Sequence, residues 1–142
     1  GVFVLVRTSN PGAKDFEYEK LADGRHVYDM VGDKLNEMGK SCMGEHGYSS
    51  LGLVIGGTHI EEAAEIRARY KDSFFLIPGY GAQGGTAEDI AQYLSAGNGG
   101  VVNSSRGILL AYKKQPGVEF AQAAYNECVN MKEAIKNACD RL

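Results

Sequence analysis

The sequence predicts a parallel α/β chain with the order βαβαβαβα, either a small open sheet or half of a (β/α)8 barrel. Three observations predict it. Four short apolar runs, Val2–Val6, Leu51–Ile55, Phe74–Ile77 and Gly100–Val102, lack polar alternation, as parallel strands covered on both faces do. Amphipathic stretches of helical period separate them. Each run then gives way to a segment rich in glycine, hydroxyls or amides. A chain of 142 residues, 44% hydrophobic, is long enough for one domain with a real core.

Taken in order, the first strand, Val2–Val6, ends at Arg7-Thr8-Ser9-Asn10-Pro11-Gly12. Gly1 precedes it with no initiator Met, signal peptide or polar leader, so the expectation is a chain cut into, not one that begins here. Between Asp15 and Arg25 the alternation Phe16-Glu17-Tyr18-Glu19 and the turn pair Asp23-Gly24 mark an excursion of undefined shape. Val27, Met30, Val31, Leu35 and Met38 form the first helical stripe. After the second strand and Gly56-Gly57, Thr58-x-x-Glu61 has the form of a capping box, and Ile60, Ala63, Ala64 and the Arg67 stem form the second stripe. The third strand runs into Pro78–Gly85, and Thr86-x-x-Asp89 is a second capping box. The fourth strand runs into Asn103-Ser104-Ser105-Arg106-Gly107. Pro116-Gly117 breaks the chain before a long closing helix with Ala121, Ala124, Tyr125, Cys128, Ile135 and Cys139 on its apolar stripe.

Bulk properties exclude several functions. A net charge of −3 gives no footing for a nucleic acid polymer or an anionic membrane. No apolar run approaches the roughly 20 residues of a membrane helix. Cys42, Cys128 and Cys139 have no metal-like spacing; Cys128 and Cys139 read as small core residues, and the setting as reducing and cytoplasmic. His26, His46 and His59 have no spacing for a metal or a triad, and Glu61-Glu62 suits the positive end of a helix dipole.

In either architecture the functional rim lies beyond the carboxyl ends of the strands. There the last two strands carry Gly79-Tyr80-Gly81-Ala82-Gln83-Gly84-Gly85 and Asn103–Gly107. A phosphate is held by backbone N–H groups at a turn together with amide or cationic donors. Glycines let backbone approach an anion and let a loop fold over it. Gln83 and Arg106 therefore read as two grips on one phosphate, with the N–H groups of Ser105 and Arg106 below it and Gly79, Gly81, Gly84 and Gly85 as the phosphate loop. Tyr80 either covers a ligand or packs.

Thr8–Ala13 (TSNPGA), Gly47–His59 (GYSSLGLVIGGTH), Ile77–Gly85 (IPGYGAQGG) and Val102–Gly107 (VNSSRG) resemble the C-terminal half of orotidine 5′-phosphate decarboxylase, in the wording of its longer bacterial subgroup. The resemblance spans nearly the whole chain in order. It implies that residues 1–142 are the C-terminal half of a (β/α)8 barrel, four βα units, with the N-terminal half-barrel absent from this chain. It further implies a homodimer that converts orotidine monophosphate (OMP) to UMP and CO2 without metal or organic cofactor. By the same resemblance Ser9 meets the pyrimidine amide edge, Pro78 lines the base pocket, and Gln83 and Arg106 grip the phosphate. The family's Asp-x-Lys-x-x-Asp motif is not found after any aspartate here, so no catalytic residue is assigned and the chain alone is expected to be inactive. Two other readings stay open: a phosphate-binding half-barrel module without chemistry, and a related barrel enzyme acting on another phosphosugar.

Overall fold

A computed structural model describes residues 1–142. Its sheet has four parallel strands, β1 (Val2–Arg7), β2 (Ser49–Ile55), β3 (Ser73–Pro78) and β4 (Gly100–Asn103), ordered β1-β2-β3-β4. The helices are α1 (Val27–Gly39), α2 (Ile60–Arg69), α3 (Ala87–Ala91), α4 (Ser105–Leu109) and α5 (Phe120–Cys139). All four predicted strands exist, each within two residues of its expected bounds. Sequential neighbours joined by crossover helices are the repeat from which a (β/α)8 barrel is built, and four such units make half of one.

Burial on both strand faces, expected from the unbroken apolar runs, is not what the structure has. One face packs against the helices: Leu53 and Phe75 lie in register on it, as do Ile77 and Val102. Together with Ile55 they meet Tyr28, Ala63, Ile66, Tyr70, Ile90, Tyr93 and Ile135 from the helical layer. The other face carries the row Leu5, Val54, Leu76 and Val101, whose outer members Leu5 and Val101 are 55% and 46% exposed. Four strands have only one helical layer, and this row has no strands opposite it. An apolar run records that a face is to be covered, not by which segment.

Local chemistry explains the helix starts. Thr86 accepts from Asp89 N–H while the Asp89 carboxylate accepts from Thr86 N–H, the reciprocal cap expected of that tetrad. Thr58-x-x-Glu61 is no such cap, because α2 begins one residue later, behind His59. The closing helix is instead capped by Glu119, which accepts from Ala121 and Gln122 N–H. Its buried face is Ala123, Ile135 and Ala138, so Tyr125 and Cys128 point outward. Of the expected stripe Ile135 and Cys139 face the core, while Ala121, Tyr125 and Cys128 do not, because α5 takes its orientation from α3 and α4. In α1 the buried positions are Tyr28, Gly32 and Gly39, while Met30 and Met38 are exposed.

The excursion after β1 has a definite shape. Pro11–Asp15 form a 3-10 turn, and Leu21 N–H donates to Arg25 O across a reversal in which Gly24 adopts φ +87, a left-handed value suited to glycine. Glu17 returns to hold Thr8, accepting from both its N–H (2.8 Å) and its hydroxyl (2.9 Å).

Candidate functional site

The rim is built from the ends of four adjacent strands, so its residues are neighbours by topology. Pro78 pairs with Asn103, which puts the loop Gly79–Gly85 beside the turn that carries Ser105 and Arg106. Gly57 N–H donates to Pro78 O at 2.9 Å and joins the β2 and β3 ends. From β1, Ser9 reaches the same place, its hydroxyl donating to Gln83 Oε1 at 2.8 Å.

The loop shape depends on its glycines. Gly79, Gly81 and Gly84 have φ of +112, +71 and +96, values strained for any residue with a Cβ. At Gly85 the reason is space: a Cβ would stand 2.8 Å from Gly79 O. The loop closes on itself through Gly85 N–H to Gly79 O (3.1 Å), Gly81 N–H to Gly85 O (2.9 Å) and Gly84 N–H to Gly81 O (2.9 Å). Gln83 is carried at the exposed tip. Ser9 engages only the Gln83 carbonyl oxygen, so the Gln83 NH2 donors stay available for an acceptor such as a phosphate oxygen. Ser9 has given away its single proton, and toward a ligand it can only accept.

Arg106 stands apart from the other arginines. Arg7, Arg25, Arg69 and Arg141 are in ion pairs, and Arg67 donates to the carbonyls of Gly99, Tyr70 and Ser73. Arg106 is exposed and has no such partner. A guanidinium left unpaired at a strand-end turn, beside a loop offering amide donors, can bind a dianion in two-point fashion.

Arg7 was expected on the rim and is not there. The register of β1 slips between Leu5 and Arg7, so Val6 and Arg7 are both buried. The Arg7 guanidinium donates to Gly56 O (3.0 Å), to the Tyr93 hydroxyl (2.6 Å) and to the Glu62 carboxylate. Tyr93 O–H in turn donates to His59 O at 2.7 Å. Burial disfavours the Arg7 cation, but Tyr93, Tyr18 and Glu62 outweigh it and raise the guanidinium pKa. Tyr18, which donates to the same carboxylate, has its pKa pushed up to about 12, first by burial. His59 is lowered, first by burial and then by Arg7. This buried cation ties the β1 and β2 ends to α2 and to Tyr93 directly beneath the rim, a role invisible in a sequence where Arg7 merely follows a strand.

Tyr80 packs against the core cluster, with its pKa raised by burial and then by Glu127 and Glu88. Its ring therefore faces the helices. Ser104 was passed over beside Ser105; it is 5% exposed and donates to Tyr80 O at 3.2 Å. A cavity of about 580 Å³ lies along β4 and α5 between Leu94, Val102, Ile135 and Cys139, and neither Gln83 nor Arg106 lines it.

No family model matches the chain. The chain is 59% identical over 139 residues to orotidine 5′-phosphate decarboxylase of Clostridium perfringens, covering 97% of this chain and 48% of that protein. The enzyme of that name from Petrotoga mobilis is 58% identical over 140 residues, with 96% and 48% covered. Among solved structures, OMP decarboxylase of Leishmania donovani superposes with a TM-score of 0.67 at 28% identity, over 95% of this chain and 48% of that one. The chain spans about half the length of the curated relatives it matches. It is homologous, along nearly all of its own length, to one half of orotidine 5′-phosphate decarboxylase, and its fold is half of that barrel.

Proposed function

We propose that this chain is the C-terminal, ligand-gripping half of an orotidine 5′-phosphate decarboxylase, which converts OMP to UMP and CO2. The observation that carries the reading is the unpaired Arg106 beside the loop whose Gln83 is bonded to Ser9. In this reading Gln83 NH2, the Arg106 guanidinium and the N–H groups of Ser105 and Arg106 hold the phosphate. Ser9 accepts from the pyrimidine amide edge, and Pro78 lines the base pocket. Fixing a remote, unreacting phosphate lets its binding energy close the loop and assemble the reaction environment.

The proton donor and the carboxylates that act on the reacting carbon belong to the other half-barrel, whose strands cover the Leu5–Val101 row. Its absence leaves this chain inactive alone. The assembled barrel works as a homodimer without metal or organic cofactor. The free thiols Cys42, Cys128 and Cys139 suit a reducing cytoplasm, and no helix is long and apolar enough to cross a membrane.

The test is Arg106→Ala in the full-length protein, followed by steady-state kinetics with OMP. Losing a charged contact to bound phosphate costs about 3–5 kcal/mol, or two to four powers of ten in kcat/KM. An unchanged kcat/KM refutes the phosphate assignment. Nucleotide binding without any turnover by the wild type supports a binding module instead, and turnover of another phosphosugar supports a different barrel enzyme.

A further inference from the structure

We propose that the Ser104 hydroxyl is a positioning latch that holds the root of the Gly79–Gly85 loop against the Arg106 turn, so that Gln83 and Arg106 converge on one phosphate. Its bearing on turnover rests on the decarboxylase reading above.

Ser104 occupies the residue before α4, where a serine side chain ordinarily accepts from the N–H groups of the first turn. It makes no such bond. The hydroxyl turns across to the neighbouring strand end and donates to Tyr80 O. The helix start is thereby left uncapped by its own serine, and the loop gains a tie to the last βα turn.

The surroundings are cut to fit that hydroxyl. A Cβ at Gly107 would stand well inside the van der Waals contact distance of Ser104 Oγ, whereas a Cβ at Gly81 would make only an ordinary 3.6 Å contact with it. Gly107 thus leaves room for the serine, which gives the glycine of Ser104-Ser105-Arg106-Gly107 a steric purpose. Ser104 is only 5% exposed and is the side-chain donor to the carbonyl of half-buried Tyr80, so deleting the hydroxyl removes that bond.

The loop is internally closed by its own backbone bonds, so it moves as a unit about Gly79–Tyr80. Besides the Tyr80 ring packed on the core, two side-chain hydrogen bonds tie that unit to its neighbours. Ser9 reaches the exposed tip at Gln83, and Ser104 holds the root at Tyr80. A shift at the root is carried outward to Gln83, whereas Arg106 lies two residues from Ser104 on the other side of the same bond. The latch therefore sets the separation of the two grips without touching a ligand.

The experiment uses the full-length protein with Ser104→Ala, and Gly107→Ala as an independent way to displace the hydroxyl. The first readout is amide hydrogen exchange at Gly81, Gly84 and Gly85, with Leu53 and Ile55 as core controls. Exchange in the loop is expected to rise about tenfold, the scale of one neutral hydrogen bond, while the controls hold. The second is the ratio of kcat/KM for OMP to kcat/KM for the phosphate-free nucleoside, expected to fall about tenfold. A merely structural loss scales both substrates alike and leaves the ratio unmoved. Loop exchange unchanged in Ser104→Ala overturns the latch, and so does faster exchange with an unmoved ratio in an active enzyme. A wild-type protein inactive on OMP whose Ser104→Ala loop still exchanges faster supports the latch and sinks the decarboxylase reading alone.

Discussion

Removing the Glu62 carboxylate should destabilise the protein chiefly through what it leaves behind. Arg7 has no exposed side-chain surface, whereas its partner Glu62 is 34% exposed. Glu62→Ala strips the only full negative charge from a guanidinium whose remaining acceptors are neutral, Gly56 O and the Tyr93 hydroxyl. Orphaning one member of a buried ion pair costs about 3–5 kcal/mol, and the exposure of Glu62 argues for the lower end, about 3 kcal/mol. Arg7→Met keeps most of the stem volume and removes the charge itself, leaving chiefly the Gly56 carbonyl without its donor, about 1–3 kcal/mol. In the Arg7→Met background Glu62 keeps only the long contact from the Tyr18 hydroxyl (3.4 Å), so Glu62→Ala there should cost no more than about 1 kcal/mol. Urea unfolding at pH 7, followed by far-ultraviolet circular dichroism on both single variants and the double, closes the cycle. The expected coupling is about 2 kcal/mol or more. Equal costs for Glu62→Ala in the two backgrounds would refute the claim that Arg7 is held as a buried cation by that carboxylate.

Gly32→Ala should destabilise by about 1–2 kcal/mol in the same unfolding assay, even though alanine is the better helix former, because its methyl would stand 2.5 Å from the hydroxyl of Tyr70, a rigid ring only 1% exposed. A stabilised Gly32→Ala would mean that α1 and Tyr70 are further apart than described. His59 links folding to pH: burial and Arg7 hold its folded pKa below the unfolded value near 6.5, so its contribution is intact above about pH 6.5 and is lost as the pH falls below it. The melting temperature should therefore drop between pH 7 and 5.5 in the wild type and drop less in His59→Gln, and equal slopes would contradict the assignment.

The strands and their alternation with helices were legible because each depends on contiguous residues. Phe74–Ile77 is apolar whatever lies beside it, and the glycines of Gly79–Gly85 announce a loop in which Gly79, Gly81 and Gly84 take φ values that disfavour a side chain. Arg7, Ser104 and Cys128 were not legible, for one shared reason: their roles depend on direction, and direction is set by residues far away in the chain. A one-residue slip in β1 turns Arg7 from the rim into the helical layer, where Tyr93 is its partner. Ser104 and Ser105 are adjacent serines, yet one hydroxyl is enclosed between Gly81 and Gly107 and the other is exposed. Cys128 lies on the same apparent stripe as Ile135, but α5 buries Ala123, Ile135 and Ala138 and leaves Cys128 outside. The open sheet face follows the same logic on a larger scale. Leu5, Val54, Leu76 and Val101 carry the apolar signature of covered strands, and their cover is not among the segments of this chain. The apolar pattern thus suits the interior of a closed barrel, while these four strands form one wall of it. The rim segments after β3 and β4 lie along the top of that wall because Pro78 and Asn103 pair there, which is why the loop and the Arg106 turn are neighbours without the opposite wall.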